Sequence, residues 1–229
     1  MRYVYCHPLF DERKCAHRFS YELSESFKRN HQVLERFDYR GTGEADGDFS
    51  DVTITSLTRD LEEITDNQKV CLIGTRLGAS VAFEYCCKNG NNVQALVLIG
   101  PVINGRDYAN YLFRKQKFKD LLTGNKNAEK RVSNYCNLEG YKTSKLFIDQ
   151  IREIRLLLKA QEYKFKTRVY IIQISPYKRE ERDFNLLARY LNDSETTSRF
   201  EVFNLSLFWE RVPDGDYQNL NQKIIEWCG

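Results

Sequence analysis

One stretch constrains the fold of this chain more than any other: Lys69–Cys87, KVCLIGTRLGASVAFEYCC. Val70 to Ile73 is a short apolar run rich in β-branched residues and reads as a buried strand. It ends in Gly74-Thr75-Arg76-Leu77-Gly78, after which Ala79, Val81, Ala82, Phe83 and Tyr85 continue as a mostly apolar helix. Glycines on both sides of the bend let the backbone turn sharply and let the helix pack close to the strand. The sequence thus predicts strand, tight turn and helix, with Arg76 at the apex. In a G-x-S-x-G turn that apex presents a nucleophilic serine. A guanidinium stays protonated and cannot act as a nucleophile.

A chain of 229 residues suits one core with room for a small cap. Its 41% hydrophobic content and 4 prolines point to a globular protein. The 35 basic and 32 acidic residues leave +3, so charge gives no strong pull toward nucleic acid or membrane. The N-terminus, MRYVYCHPLF, lacks the apolar core of a signal peptide, and no run approaches the ~18 apolar residues of a membrane span. The expected location is the cytoplasm. The seven cysteines are odd in number and form no C-x-x-C pair, so reduced buried thiols are expected rather than disulfides or zinc. Gly41, Gly43 and Gly47 are not followed by G-K-S/T and make no phosphate loop. No cofactor is expected.

Arg2 to Cys6 reads as a strand stopped by Pro8, and Phe10 to Lys14 as a polar turn. Phe19, Leu23 and Phe27 recur every four residues and predict an amphipathic helix over 16–30. Gln32 to Tyr39 reads as a strand, Arg40 to Ser50 as a loop, and Thr53 to Thr65 as a helix. Val93 to Ile99 and Arg168 to Ile174 read as apolar strands, Glu180 to Leu191 as a helix, Phe200 to Leu205 as a strand and Tyr217 to Cys228 as a closing helix. Strands alternating with helices imply a parallel sheet covered on both faces. Residues 105–166 break the rhythm, are mostly helical in pattern, and read as a cap inserted into a core made of 1–104 and 167–229.

In such a sheet ligands bind beyond the carboxyl ends of the strands. A serine hydrolase needs a nucleophile at the elbow, an acid after a later strand and a histidine after the last. Glu180, Glu181 and Asp183 can supply the acid. The elbow holds Arg76, and LSLFWERVPDGD after the last strand has no histidine; the three in the chain are His7, His17 and His31.

The segments HPLFDERKCAHR, ERFDYRGTGEADGDFSD, LIGTRLGA and LFW, in that order, resemble the α/β-hydrolase-fold proteins associated with exosortase A systems. In these a G-x-R-x-G elbow accompanies a proline-phenylalanine-acid-glutamate segment. The resemblance covers most of the chain outside the cap and implies an α/β-hydrolase fold. His7 stands where a proline is common, and the N-terminus is too short for the antiparallel strands that usually begin the fold.

Two roles for Arg76 follow. Beside the helix N-terminus, Arg76, the Leu77 N–H and the His7–Leu9 loop could bind an anion. Alternatively Glu12 or Asp11 neutralises Arg76 in a plugged site, since an unpaired buried charge is costly. His7 is either an acid–base group or a histidine held at a strand end. Asp38 and Arg40, in FDYRGTG, read as braces of their loop, and Phe208 and Trp209 as fillers of the pocket. Cys71, Cys86 and Cys87 read as core. His7, Phe10, Glu12, Arg76, Leu77 and Trp209 form the candidate ligand site.

The sequence therefore predicts an atypical α/β-hydrolase-fold protein, a pseudo-hydrolase binding a small acyl or anionic metabolite or a partner in a biosynthetic pathway. The alternative is an esterase, thioesterase or acyltransferase working through His7, Glu12 and Arg76. Tyr108 to Phe113 could line a pocket or a dimer contact, and Arg114 to Lys119 reads as a solvated cap helix. No nucleic-acid binding or membrane insertion is expected.

Overall fold

The computed structural model describes residues 1–124, 134–163, 166–192, 197–211 and 215–229. Its centre is a six-stranded sheet made of β1 (Arg2–Cys6), β2 (Leu34–Arg36), β3 (Val70–Thr75), β4 (Val93–Ile99), β7 (Arg168–Ile174) and β8 (Ser198–Phe203). The order is β2-β1-β3-β4-β7-β8, and every pairing is parallel. Among the described residues no antiparallel strand joins this sheet.

Alternate strand residues face opposite cores, as a pleat of period two requires. Val4, Leu72, Leu98 and Ile171 pack on one side with α2 (Ile54–Thr65), α3 (Leu77–Asn89) and α7 (Arg182–Asn192). Tyr5, Ile73, Val97 and Ile172 pack on the other with α1 (Phe10–Arg29) and α8 (Gln218–Cys228). This is the α/β-hydrolase fold: a mainly parallel sheet with helices on both faces.

Three elements differ from the sequence reading. The expected polar turn at Phe10 to Lys14 is the first turn of α1, where Asp11 and Glu12 suit the positive helix end. The expected strand 32–39 pairs only over Leu34–Arg36, because its partner β1 runs out into His7 and Pro8, and proline donates no ladder hydrogen bond.

The segment between β4 and β7 is not wholly helical. Between α4 (Gly105–Thr123) and the pair α5 (Lys145–Glu153) and α6 (Leu156–Glu162) lies an antiparallel hairpin, β5 (Tyr135–Leu138) with β6 (Tyr141–Ser144). Its two loop residues, Glu139 and Gly140, both have positive φ, the backbone a tight two-residue hairpin demands.

Candidate functional site

Arg76 sits between β3 and α3 with φ 53° and ψ −123°, a conformation sparsely populated for a residue with a side chain. The turn is held by the Arg76 N–H donating to the Ile99 carbonyl at 2.9 Å. Gly78 makes the turn possible: a Cβ there would lie 2.3 Å from the carbonyl oxygens of both Cys6 and His7. The strained residue therefore projects its side chain at the carboxyl end of the sheet.

The guanidinium is enclosed. Nε donates to Glu12 Oε1 at 3.1 Å and Nη1 to the Gly100 carbonyl at 2.9 Å. The Trp209 and Tyr108 rings lie 5.1 and 5.5 Å from its central carbon, within cation–π range. Trp209 fits there because residue 100 is glycine; a Cβ at that position would meet its ring at 2.7 Å. Glu12, in the first turn of α1, is wholly buried, and its Oε2 accepts from the Tyr108 hydroxyl at 2.9 Å. Burial pushes the Glu12 carboxyl up, while Arg76 and the Tyr108 hydroxyl pull it back. Burial is the largest single influence on Arg76 and would lower it, but the Glu12 charge and hydrogen bond, together with Tyr108 and Tyr111, outweigh it and hold the guanidinium protonated. Asp11 turns away, pairing with Lys14 at 3.1 Å.

Arg76 forms the floor of a cavity of about 300 Å³. Val102, Tyr108, Tyr111 and Trp209 supply apolar wall, and Asp107, Glu181, Asp183 and Glu210 bring four carboxylates to its lining. Glu180 instead accepts from Asn185 at 3.1 Å. Arg76 is the one basic residue among the described lining residues, and its side chain is 19% exposed. The described residues bond its Nε and Nη1 but not its Nη2, which keeps its hydrogen-bonding capacity.

The candidate residues do not all converge. His7 points toward β2: its ring lies 4.8 Å from Tyr39, Nδ1 is 2.7 Å from the Pro8 carbonyl, and Nε2 is 3.7 Å from Asp38. Because a carbonyl can only accept, Nδ1 carries the proton of the neutral ring. Burial, with the Arg13 charge behind it, lowers His7 to about 4 despite Pro8 and Asp38. Phe10 packs among Phe49, Tyr141 and Phe147 rather than along the cavity, and Leu77 is buried. His17 and His31 are exposed, away from the cavity lining. Asp38 pairs with Arg13 at 2.5 Å and accepts from the Glu44 N–H, while Arg40 binds Asp60 and Glu63; both brace their loop.

Over most of its length the chain matches a family of known hydrolases: the profile described as Hydrolase_4, serine aminopeptidase S33, fits residues 12–172. The chain belongs to the S33 serine aminopeptidase family. No curated protein sequence matches it. Similar solved structures share the S33 member's fold at low identity. Est1E from Butyrivibrio proteoclasticus, solved with ferulic acid bound, is 13% identical with a TM-score of 0.69, covering 97% of this chain and 86% of its own. A soluble variant of monoglyceride lipase from Saccharomyces cerevisiae, in complex with a substrate analog, is 17% identical at TM-score 0.69, covering 99% and 86%. Mouse α/β hydrolase domain-containing protein 10 is 15% identical at 0.57, covering 97% and 87%.

Tyr108 stands in the segment that the sequence offered as pocket lining or dimer contact, and it does line the cavity, but its bond to Glu12, 96 residues away, left no sign in the sequence. Glu139 was not foreseen at all. Glu139 is buried at the hairpin tip, where it binds Lys115 and accepts from the Asp11 N–H at 3.2 Å, adding an anion at the start of α1. Burial raises the Cys6 thiol to about 12 and the Cys86 thiol to about 11, and pushes Cys71 well up beside Cys228, so none of these three is a ready thiolate. Among the described residues no group of three or more His, Cys, Asp and Glu side chains is arranged for a metal.

Proposed function

We propose that this S33 family member binds a small acyl compound at the elbow without cleaving it. The observation that supports this most is the pairing of Arg76 with buried Glu12. An arginine held this way offers no attacking lone pair, and no histidine lines the cavity to activate a water. What the floor still offers is donor capacity, through Nη2. The surrounding carboxylates repel a second negative charge, so a neutral acyl carbonyl suits the cavity better than a free anion. Within the family, the four matching segments and the G-x-R-x-G elbow favour kinship with the exosortase A-associated proteins, and hence a binding role in a biosynthetic pathway.

The test pairs a calorimetric titration of short acyl amides against their free carboxylates with a turnover assay on the corresponding esters and thioesters. The expected result is saturable binding of the neutral amides, weaker binding of the carboxylates and no turnover. Ester hydrolysis that disappears in Glu12→Gln would overturn the proposal in favour of an active enzyme.

A further inference from the structure

Away from the elbow, α4 carries a second feature that the site does not use. Along its C-terminal half, Phe118, Leu121 and Leu122 are 64%, 71% and 72% exposed. At about 100° per residue these three fall within one stripe, with Lys117 on one flank and Lys119 on the other. The opposite face holds Ala109, Leu112 and Gln116, which are buried against the protein. The stripe runs beside a groove of about 530 Å³ bordered by Tyr111, Arg114, Lys115 and Lys119. Folding a soluble protein gives no reason to leave three large apolar side chains standing together in water.

Charge indicates what covers them. Between Arg114 and Gly124 the sequence holds four basic residues and one acidic residue, a surplus of three in a chain whose total is +3. The rest of the chain thus balances to zero, and the net positive charge matches that of the half-helix that carries the apolar stripe. Among the described residues neither Arg114 nor Lys117 enters an ion pair, although Lys115 is taken by Glu139 and Lys119 lies 3.9 Å from Asp11. An apolar stripe flanked by lysines matches a bilayer interface: the apolar groups enter the acyl boundary, while the lysine stems extend along it and hold their charges at the phosphates. No described helix is long and apolar enough to cross a membrane, so attachment would lie in the interface plane.

We propose that the C-terminal half of α4 docks this protein on an anionic phospholipid surface, with Phe118, Leu121 and Leu122 inserted and Arg114 and Lys117 on the lipid phosphates. The surface is independent of whether the elbow binds or cleaves an acyl group.

The experiment is co-sedimentation of the full chain with vesicles of phosphatidylcholine alone or mixed with phosphatidylserine, over a salt series, with light scattering on the free protein. Expected is binding to the mixed vesicles that falls as salt rises, and little to phosphatidylcholine alone. Arg114→Gln and Lys117→Gln should each weaken partitioning roughly fivefold, the size of one surface charge. The pair Phe118→Asp and Leu122→Asp should abolish it, with circular dichroism unchanged because both side chains are exposed. Absence of binding at low salt, or binding that survives the aspartate pair, overturns the proposal. A dimer that the aspartate pair dissociates, without vesicle binding, overturns it too and assigns the stripe to self-association.

Discussion

Replacing Arg76 by alanine is the sharpest perturbation of the elbow, and the structure sets its size. Glu12 is wholly buried and would be left without a counterion, keeping only the Tyr108 hydroxyl. Removing one partner of a buried ion pair costs about 3–5 kcal/mol. The 19% exposure of Arg76 places this pair at the lower end, about 3 kcal/mol, since water reaches the guanidinium from the cavity. In a chain of this size that lowers the melting temperature by roughly 6–12 °C. The two partners are not equivalent. Glu12→Gln strands a charge that still touches water and two aromatic faces, so it costs less, about 1–2 kcal/mol. In the double variant nothing charged is left buried, and much of the Arg76→Ala loss returns. Urea unfolding followed by far-ultraviolet circular dichroism measures all four forms, and the cycle should give a coupling above about 1 kcal/mol. The deficit also depends on pH. Burial already raises the Glu12 carboxyl, and losing Arg76 raises it further. The folded alanine variant then binds that proton more readily than the unfolded chain, so its deficit shrinks as pH falls from 7 toward 5. An Arg76→Ala deficit below about 1 kcal/mol, or one undiminished in the double variant, would refute the counterion argument.

Two further outcomes follow from neighbouring residues. His7 is lowered from 6.5 to about 4 in the folded chain, so below 6.5 the unfolded chain binds more protons; stability falls by about 3 kcal/mol between pH 6.5 and 4, and His7→Gln flattens that slope in urea titrations across the range. Gly78→Ala puts a methyl group against two backbone carbonyls that cannot withdraw, costing about 3 kcal/mol, and an unchanged melting midpoint would show that β1 does not pack on the elbow as described.

The parallel sheet was legible because its central strands are continuous apolar runs: Val93–Ile99 and Arg168–Ile174 stand where the sequence puts them. Helix α2 was equally readable, with Thr53 capping it through Ser56. The hairpin was not, since Tyr135–Ser144 carries polar residues on its open face and its loop uses Glu-Gly instead of Asn-Gly. At the elbow, sequence could show that Arg76 needed an anion but left Asp11 and Glu12 open. The choice turns on where α1 begins. Starting at Phe10, it rotates Glu12 inward and Asp11 toward Lys14, and a boundary shifted by one residue would exchange them. Tyr108 depends on how α4 crosses the sheet edge, which no local pattern records.

The first turn of α1 receives three separate attachments from the segment between β4 and β7: Tyr108 on Glu12, Glu139 on the Asp11 N–H, and the Tyr141 hydroxyl on the Phe10 carbonyl at 3.4 Å. Hydrogen exchange should therefore find the start of α4, the β5–β6 hairpin and the first turn of α1 opening together. Swinging the hairpin and α4 aside would break all three attachments and uncover the buried Glu12 carboxylate, which costs more than loop breathing. Access to the elbow runs instead through the cavity lined by Val102, Asp107, Tyr111 and Trp209, which already leaves the Arg76 side chain 19% exposed with no element moved aside.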